Sequence, residues 1–540
     1  MNPTPVGSST GPGSTPPPDD TVPEGSGPQG SGRESSAPDG RLPGGSGPAW
    51  SPPAESPPAD APPAETGPND RTGEDPVPPA RPAVAPSTRP ASAPEVVRTI
   101  GEAEPDRRSH FTVALATVAA VAAGIQALFI HAMSHRTALP AAGWYDTVQA
   151  RLLVRGYWLV DPVRATSGTH LLVPTATHPP LPTVLLAVAD LVDATGPTAH
   201  MVFLAVLFVA SVILAGVTVR DLAGERAGLL AALVMATFPL LWVNPATVGP
   251  ETAVIAVTTL LLFATVRFWT SPRLAHAALV GLALGLCALT RTDLVALLVL
   301  VGIPLALLVR HASWQAKLRG LALMSVVFVL VVGPWVGRNL SLFGHSVVLS
   351  QDYGVAVAGA NCATTYSGPL EGWWSPGCAS VPIAGPTRTV ESVQTDDQVR
   401  AARTYASHHQ GAAVTTAAAR LGRMWDVYRP GQTARLEAVT GRPVWVSDAG
   451  RWYLYVLVPV AVVGAVVLRR RRLLLFPFVS VIVLSCLTAV LAFGDARFAV
   501  DADVALALLA GVGLDAGIAA AARRWTPGPG RHSAGRVVGA

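Results

Sequence analysis

The sequence predicts an all-α polytopic membrane protein, with about ten transmembrane helices and additional helices at the membrane interface. Half of the 540 residues are hydrophobic and only 14% are charged, whereas soluble domains average about 25% charged residues. Apolar runs close to the length that crosses a bilayer recur from Phe111 onward. Arginine gathers between alternate runs, which indicates membrane topology rather than a nucleic-acid-binding surface, so no nucleic acid is expected as a partner.

Residues 1–105 differ in composition from the remainder of the chain. They hold 26 of the 49 prolines and 14 of the 50 glycines, with 14 acidic and 6 basic residues. Such a composition cannot bury a core, so we expect a disordered acidic tail. The other 435 residues hold 33 basic and 21 acidic residues. The net charge of +4 therefore combines a tail at −8 with a body at +12.

Ten apolar runs are predicted to cross the membrane. They are 111–133, 199–219, 227–243, 252–268, 275–290, 294–309, 320–336, 452–468, 473–492 and 500–519. The shorter segment 180–194 begins with a proline and contains Asp190 and Asp193, so we expect it to lie in the interface. With a cytoplasmic N-terminus, all six inner boundaries carry arginine or lysine, as the positive-inside rule requires.

This topology predicts a division of the chain into segments and places two large loops on the outer face of the cell membrane. The second of these loops contains a stretch, 393–428, that we expect to be helical. The predicted segments are the tail 1–105, an N-terminal transmembrane core 106–336 with the outer loop 134–198, an extracytoplasmic loop domain 337–451, C-terminal transmembrane helices 452–524 and a cytoplasmic tail 525–540.

Three arginines lie at outer span ends, against the positive-inside tendency, which makes them functional candidates. They are Arg291, Arg338 and Arg497. A guanidinium binds phosphate in a bidentate manner, so the three suit a phosphate-bearing substrate at the membrane surface. Each also has a structural interpretation, such as the ion pair that Arg291 could form with Asp293 in a tight hairpin.

Acidic and aromatic residues accompany these arginines on the outer side. Asp146 follows Tyr145 at the start of an amphipathic segment, His178 precedes two prolines, and Glu251 begins a span. A carboxylate near a helix start can simply stabilise the helix, and a histidine before prolines can be structural. Alternatively, Asp146 and Glu251 supply acid–base groups, and His178 donates to a phosphate.

The cysteines and the absence of known nucleotide-binding motifs limit the disulfides, metals and cofactors that the chain is expected to have. Cys287 and Cys486 lie within apolar runs and are expected to be packing residues. Cys362 and Cys378 lie 16 residues apart in the second loop and are candidates for a disulfide. No P-loop or dinucleotide fingerprint is present. The aspartate pair Asp501 and Asp503 falls inside the start of the last span, so we expect neither a metal nor another cofactor.

The motifs, in their order, resemble the GT-C fold membrane glycosyltransferases of the family 39 type, which include protein O-mannosyltransferases and the lipid A aminoarabinose transferase. The resemblance covers roughly residues 110–520. It rests on Tyr145-Asp146, His178-Pro179-Pro180-Leu181, Gly281-Leu-Ala-Leu-Gly285 with Leu289-Thr290-Arg291, Pro334-Trp335-Val336-Gly337-Arg338-Asn339 with Phe343-Gly344 and Gly359-Ala360-Asn361, and Gly494-Asp495-Ala496-Arg497-Phe498.

The resemblance implies transfer of a sugar from a polyprenyl-phosphate donor to a hydroxyl on a protein, lipid or polysaccharide, at the outer membrane face. It gives Asp146 the role of general base, with Glu251 as a second acidic residue. The predicted donor-phosphate ligands are His178, Arg291, Arg338 and Arg497, and further site residues are Tyr145, Trp335 and Asn339. The sequence departs from the family pattern where Tyr145 replaces an acid and His178 replaces a lysine.

Two other classes remain as alternatives. A transporter or lipid flippase would need ionisable residues near the middle of its spans and internal repeats, and the charges here cluster at one face. A non-catalytic lipid-binding protein of the cell envelope would leave the three outer arginines without a role.

Overall fold

The computed structural model describes residues 104–134, 141–167, 172–192, 195–309, 312–343, 347–380 and 391–525. The predicted tail 1–105, apart from its last two residues, lies outside them, as does the predicted cytoplasmic tail after Trp525. In the described residues the regular structure is helical, and β pairing is limited to one isolated bridge between Val160 and Pro174. The predicted all-α polytopic fold class is confirmed.

The first part of the described chain contains the first large loop between two long helices, followed by a series of apolar helices. Its α-helices are α1 (Glu104–Met133), α2 (Ala141–Val154), α3 (Pro162–Thr166), α4 (Leu181–Asp190), α5 (Pro197–Ala223), α6 (Glu225–Thr237), α7 (Pro239–Trp242), α8 (Glu251–Thr270), α9 (Leu274–Thr290) and α10 (Ile303–Leu308).

The remaining described chain contains the second large loop, whose short helices lie between two long ones. Its α-helices are α11 (Trp314–Leu342), α12 (Asp352–Ala360), α13 (Ala363–Tyr366), α14 (Pro376–Ala379), α15 (Glu391–His408), α16 (Gln410–Met424), α17 (Pro430–Glu437), α18 (Val444–Arg470), α19 (Phe476–Leu491) and α20 (Val500–Trp525).

Six helices in the described chain are long and apolar enough to cross a membrane. They are α1, α5, α8, α11, α18 and α20, the last extended at its start by the turn Ala496–Ala499. Three other predicted spans correspond to shorter apolar helical segments, namely α9, Thr292–Leu308 and α19. The predicted interfacial segment corresponds to α4, which has only 10 residues.

The predicted span 227–243 is bent rather than straight. Its two parts, α6 and Pro239–Thr247, meet at an angle of 61° and count as a seventh span if taken together. Pro239 explains the break, because proline lacks the N–H that would continue the helix and disfavours helical backbone at the preceding residue. Phe238 is accordingly extended, with ψ at 113°.

The core of the protein forms where the C-terminal helices pack against the N-terminal ones. Helix α20 packs on α18, α6 and α8, while α5 packs on α1, α6 and α8. Gly464 and Gly513 allow α18 and α20 to come close, since a Cβ on either would overlap a backbone carbonyl of the other helix. Small residues at a helix crossing are typical of membrane helix packing.

The boundaries of the second large loop differ from those expected. Helix α11 continues through Pro334 to Leu342, so the expected boundary at 336 falls inside a helix. Helix α18 begins at Val444, so the boundary at 451 also falls inside a helix. The expected helical stretch 393–428 consists of α15 and α16, which are separated at His409.

Candidate functional site

The first large loop brings Asp146 and His178 together, although 32 residues separate them in sequence. Nδ1 of His178 lies 2.9 Å from Oδ1 of Asp146, and the Tyr145 ring lies against the imidazole with 4.6 Å between centroids. The Asp146 side chain is 2% exposed and that of His178 is 27% exposed. The histidine therefore faces the accessible side of the pair, and the carboxylate lies behind it.

Local structure fixes both members of this pair. Asp146 belongs to α2, and the start of α2 packs closely on Thr247, where a Cβ at Gly143 would lie 2.9 Å from the Thr247 carbonyl oxygen. His178 lies immediately before the prolines at the start of α4, where fixed proline dihedrals favour helix initiation. Helices α2 and α4 pack together, so the two side chains have little freedom.

The charges around His178 favour its protonated form. Burial by itself would lower the pKa of His178, but the charge and hydrogen bond of Asp146, together with the charge of Asp352, raise it above its ordinary value. Arg497 acts in the opposite direction. With Nδ1 directed at a carboxylate, that nitrogen carries the donated proton, so Nε2 is the free nitrogen of the neutral ring.

Asp352, which the sequence analysis did not select, begins α12 beside this pair. Its backbone N–H donates to the carbonyl of Thr177 at 3.1 Å, and its carboxylate accepts a 2.6 Å hydrogen bond from Ser350. Burial raises the pKa of Asp352, while the nearby His178 works to lower it. A single acid in a polar loop carries no local signal, so only its contact with the His178 segment identifies it.

Glu391 is a second residue that the sequence did not indicate. Its carboxylate accepts hydrogen bonds from the hydroxyls of Thr175 and Thr177, at 3.0 and 2.6 Å, and from the backbone N–H of Ala176 at 3.4 Å. Burial raises the pKa of Glu391, and these hydrogen bonds oppose that rise. The contact joins the start of α15 to the segment immediately before His178.

Arg497 lies in the turn before α20 and has free donors. Its Nε lies 3.2 Å from a carboxylate oxygen of Asp495, and its guanidinium stacks on the rings of Phe493 and Phe498. Nη1 and Nη2 form no hydrogen bond with any residue that the structure describes. Its charge acts on His178 and lowers the pKa of that imidazole, although no hydrogen bond or ion pair joins Arg497 to the Asp146–His178 pair within the described residues.

The guanidinium of Arg291 donates to acceptors within the protein. Its Nε and Nη2 donate to the two oxygens of Asp293 at 2.9 and 2.6 Å, and Thr488 also donates to Asp293. The buried carboxylate of Asp501 lies 3.8 Å from the same guanidinium, and Nη1 reaches the backbone carbonyl of Arg497 at 3.5 Å. Arg291 thus forms the ion pair with Asp293 that was one of its two predicted roles, and it also contacts the backbone of the turn that contains Arg497.

Arg338 is likewise directed at protein acceptors. Its guanidinium donates to the carbonyls of Leu159 and Thr175, at 2.9 and 3.0 Å, and to Oδ1 of Asn339 at 2.9 Å. It also lies over the ring of Trp335. These contacts hold the first large loop against α11. Because the guanidinium already donates to protein oxygens, its surroundings do not support the expected contact of Arg338 with a phosphate, which stays a prediction.

Glu251 belongs to a neighbouring network rather than to the His178 cluster. It lies in the first turn of α8, where its charge acts on Arg291 and Arg442. Arg442 pairs with Glu437 at 3.4 Å, and Glu437 also accepts from the backbone N–H of Ala496 at 3.3 Å. Glu251 therefore acts on these two arginines through its charge, and it makes no described hydrogen bond with Asp146 or His178.

Cys362 and Cys378 form a disulfide in the second large loop, with their Cα atoms 6.3 Å apart. The bridge encloses α13 and the residues that lead to α14. The described residues contain no group of three or more His, Cys, Asp or Glu side chains that could hold a metal ion.

Removing this disulfide is expected to destabilise the second large loop. A closed loop of about 15 residues contributes roughly 3 kcal/mol to the free energy of unfolding. The Cys362→Ser/Cys378→Ser double variant should therefore melt at a lower temperature than the wild type, as followed by tryptophan fluorescence in detergent. A reductant should lower the melting temperature of the wild type only. Equal melting of the oxidised and fully reduced wild type would contradict this prediction.

Comparison with known proteins shows what part of this chain is similar to. Residues 177–337 match the family model described as dolichyl-phosphate-mannose-protein mannosyltransferase. The chain resembles the GT-C membrane glycosyltransferases. This match confirms the predicted resemblance and indicates a glycosyltransferase, and the apolar helices make the protein a multi-pass membrane protein. No curated protein matches the sequence.

Solved structures of two GT-C enzymes are also similar to this glycosyltransferase-like chain. The archaeal oligosaccharyltransferase AglB from Archaeoglobus fulgidus, in complex with an inhibitory peptide and a dolichol-phosphate, is 12% identical, with a TM-score of 0.43, over 79% of this chain and 53% of that one. ArnT from Cupriavidus metallidurans, bound to undecaprenyl phosphate, is 17% identical, with a TM-score of 0.36, over 79% of this chain and 82% of that one. The chain thus spans about half the length of the archaeal enzyme.

Proposed function

We propose that this protein is a membrane glycosyltransferase that moves a sugar from a polyprenyl-phosphate donor to a hydroxyl acceptor. The observation that carries the proposal is the contact between Asp146 and His178, a pair on which the charge of Arg497 acts. Transfer from a phosphate-linked sugar needs a base near the incoming hydroxyl and a cation near the departing phosphate. The description of the matching family, which names dolichyl-phosphate mannose, supports a lipid-phosphate donor.

In this proposal the Asp146–His178 pair, with the carboxylate of Asp146 as its anionic member, supplies the base function, and Arg497 holds the donor phosphate. Arg291 and Arg338 act as positioning residues, because one contacts the backbone of Arg497 and the other the backbone of Thr175. Glu251 contributes negative charge beneath Arg291. The acceptor is a protein, lipid or polysaccharide that carries a free hydroxyl.

We also propose that the site faces the extracytoplasmic side and that the N-terminus is cytoplasmic. The basic residues at the predicted inner boundaries support this orientation. The disulfide between Cys362 and Cys378 gives independent support, because disulfides persist in oxidising compartments. Both large loops would then meet a lipid-linked donor at the outer surface of the membrane.

The test is turnover of a lipid-linked sugar by purified protein in liposomes. A panel of radiolabelled polyprenyl-phosphate hexoses and pentoses, with EDTA present, should include a donor that loses its sugar and leaves polyprenyl phosphate. We propose that this turnover needs no metal, so EDTA should not reduce it. Donor binding without turnover across the panel would instead favour the non-catalytic lipid-binding alternative. Movement of the intact donor between leaflets would favour the flippase alternative.

A further inference from the structure

We infer that His178, rather than Asp146, accepts the proton of the incoming hydroxyl, and that Asp146 is the positioning residue behind it. This inference rests on the proposed function and concerns the same site. Nδ1 of His178 is occupied by Asp146 at 2.9 Å, whereas Nε2 forms no hydrogen bond within the described residues. The exposed side of the pair is the histidine, at 27% against 2% for the carboxylate.

A second histidine–aspartate pair in the chain is fully buried and serves as a structural comparison for the Asp146–His178 pair. Nε2 of His200 lies 2.7 Å from Oδ1 of Asp190, where the end of α4 meets α5. Their side chains are 0% and 1% exposed, so neither could reach a substrate. The pair at Asp146 uses the opposite ring nitrogen, and its histidine side chain is 27% exposed.

The groups that face His178 suit an imidazole that gains a positive charge during the reaction. Asp146 approaches from α2 and Asp352 from the start of α12, while the Tyr145 ring lies against the imidazole face. Two carboxylates stabilise the imidazolium as it forms. Arg497 is the opposing charge, and in the proposed function its guanidinium binds the donor phosphate.

The proton and electron balance of the step is complete without another reactant. The hydroxyl oxygen of the acceptor forms a bond to the anomeric carbon as its proton passes to Nε2 of His178. The bond between the anomeric carbon and the phosphate oxygen breaks, and its electron pair leaves with the lipid phosphate. The imidazolium then gives its proton to water or to the released phosphate monoester, whose second pKa is about 6.

The competing role for His178 is that of a cation on the donor phosphate, as the sequence predicts. The two roles give opposite pH dependences. A base works when neutral, so activity rises as pH increases through the pKa of His178, which the two carboxylates raise above its usual value of about 6.5. A phosphate-binding cation works when charged, so activity falls over the same pH range.

The experiment compares His178→Lys, His178→Gln and His178→Ala with wild type, using the polyprenyl-phosphate sugar that the wild type turns over. Lysine keeps the positive charge but is a poor base at neutral pH. We expect His178→Lys and His178→Gln to lower kcat by about 10²- to 10⁴-fold, the usual contribution of general acid–base catalysis. The wild-type rate should rise with pH, with an inflection above 6.5, and added imidazole should partly restore His178→Ala.

The matched control is His200→Gln, which removes the histidine of the buried pair. It should lower the melting temperature but keep the wild-type pH profile, which separates loss of structure from loss of the base. Activity of His178→Lys within fivefold of wild type, or a wild-type rate that falls as pH rises through this range, would overturn the inference and leave the proposed function standing, with Asp146 acting directly. A wild-type protein with no turnover of any donor would overturn both.

Discussion

Replacing Asp146 with asparagine is expected to lower the transfer rate by about 10²- to 10⁴-fold. The two side chains have the same shape, but the amide has no charge with which to stabilise an imidazolium at His178. It can also donate to Nδ1, which would move the ring proton to Nε2 and remove the acceptor. The measurement is the initial rate of sugar release at saturating lipid donor, with the melting temperature recorded for the same preparation.

Asp161 provides a matched control for this substitution, because it is another aspartate in the same loop. It caps α3, accepting from the backbone N–H groups of Val163 and Arg164 at 2.9 and 3.4 Å. Asparagine caps a helix about as well as aspartate. Asp161→Asn should therefore keep both stability and rate, and an Asp146→Asn rate within threefold of wild type would remove Asp146 from the mechanism.

Replacing Arg497 with glutamine is expected to reduce the rate by about 10²- to 10³-fold, the usual effect of removing one donor from developing negative charge. Its own side chain is one-third exposed, but that of its ion-pair partner Asp495 is only 4% exposed, so we expect the substitution to lower the melting temperature as well. The measurement is kcat and KM for the lipid-phosphate sugar, with polyprenyl phosphate as a competing ligand. Binding of that ligand should weaken in parallel.

Arg338→Gln is the comparison variant for this prediction. It removes three hydrogen bonds to the protein and the contact with Trp335, so it should lower the melting temperature more than Arg497→Gln does. The ratio of activity lost to stability lost should therefore differ between the two arginines. If folded Arg338→Gln lost donor binding and Arg497→Gln retained it, the assignment of the phosphate ligand would have to be exchanged.

The sequence predicted the membrane helices well because the hydrophobic requirement acts on each segment separately. A run such as 199–219 must be apolar wherever it packs, so its composition alone identifies α5. The predicted straight span 227–243 does not include the bend after Phe238, although Pro239 carries the signal for it. The end of α11 was placed too early because its last residues are polar, and their helical state depends on contacts such as those of Arg338 with the first large loop.

The sequence predicts only those residues of the candidate site that lie within recognisable motifs. Asp146, His178 and Arg497 carry local signals; the structure joins the first two by a contact, and the charge of Arg497 acts on that pair. Asp352 and Glu391 carry no such local signal, because what places them at the site is their contact with the distant segment that precedes His178. Likewise, the sequence marks all three outer arginines as exceptions. Only the hydrogen-bond partners distinguish Arg497, whose Nη1 and Nη2 have no described partner, from Arg291 and Arg338.

The contact of Glu391 has a consequence for the timing of biosynthesis. Thr177 leaves the ribosome 214 residues before the acid that binds it. At about 5 to 20 residues per second, this separation is roughly 10 to 40 s of synthesis. During that interval the segment next to His178 lacks its carboxylate partner, so this part of the site can form only after about half of the second large loop has been made.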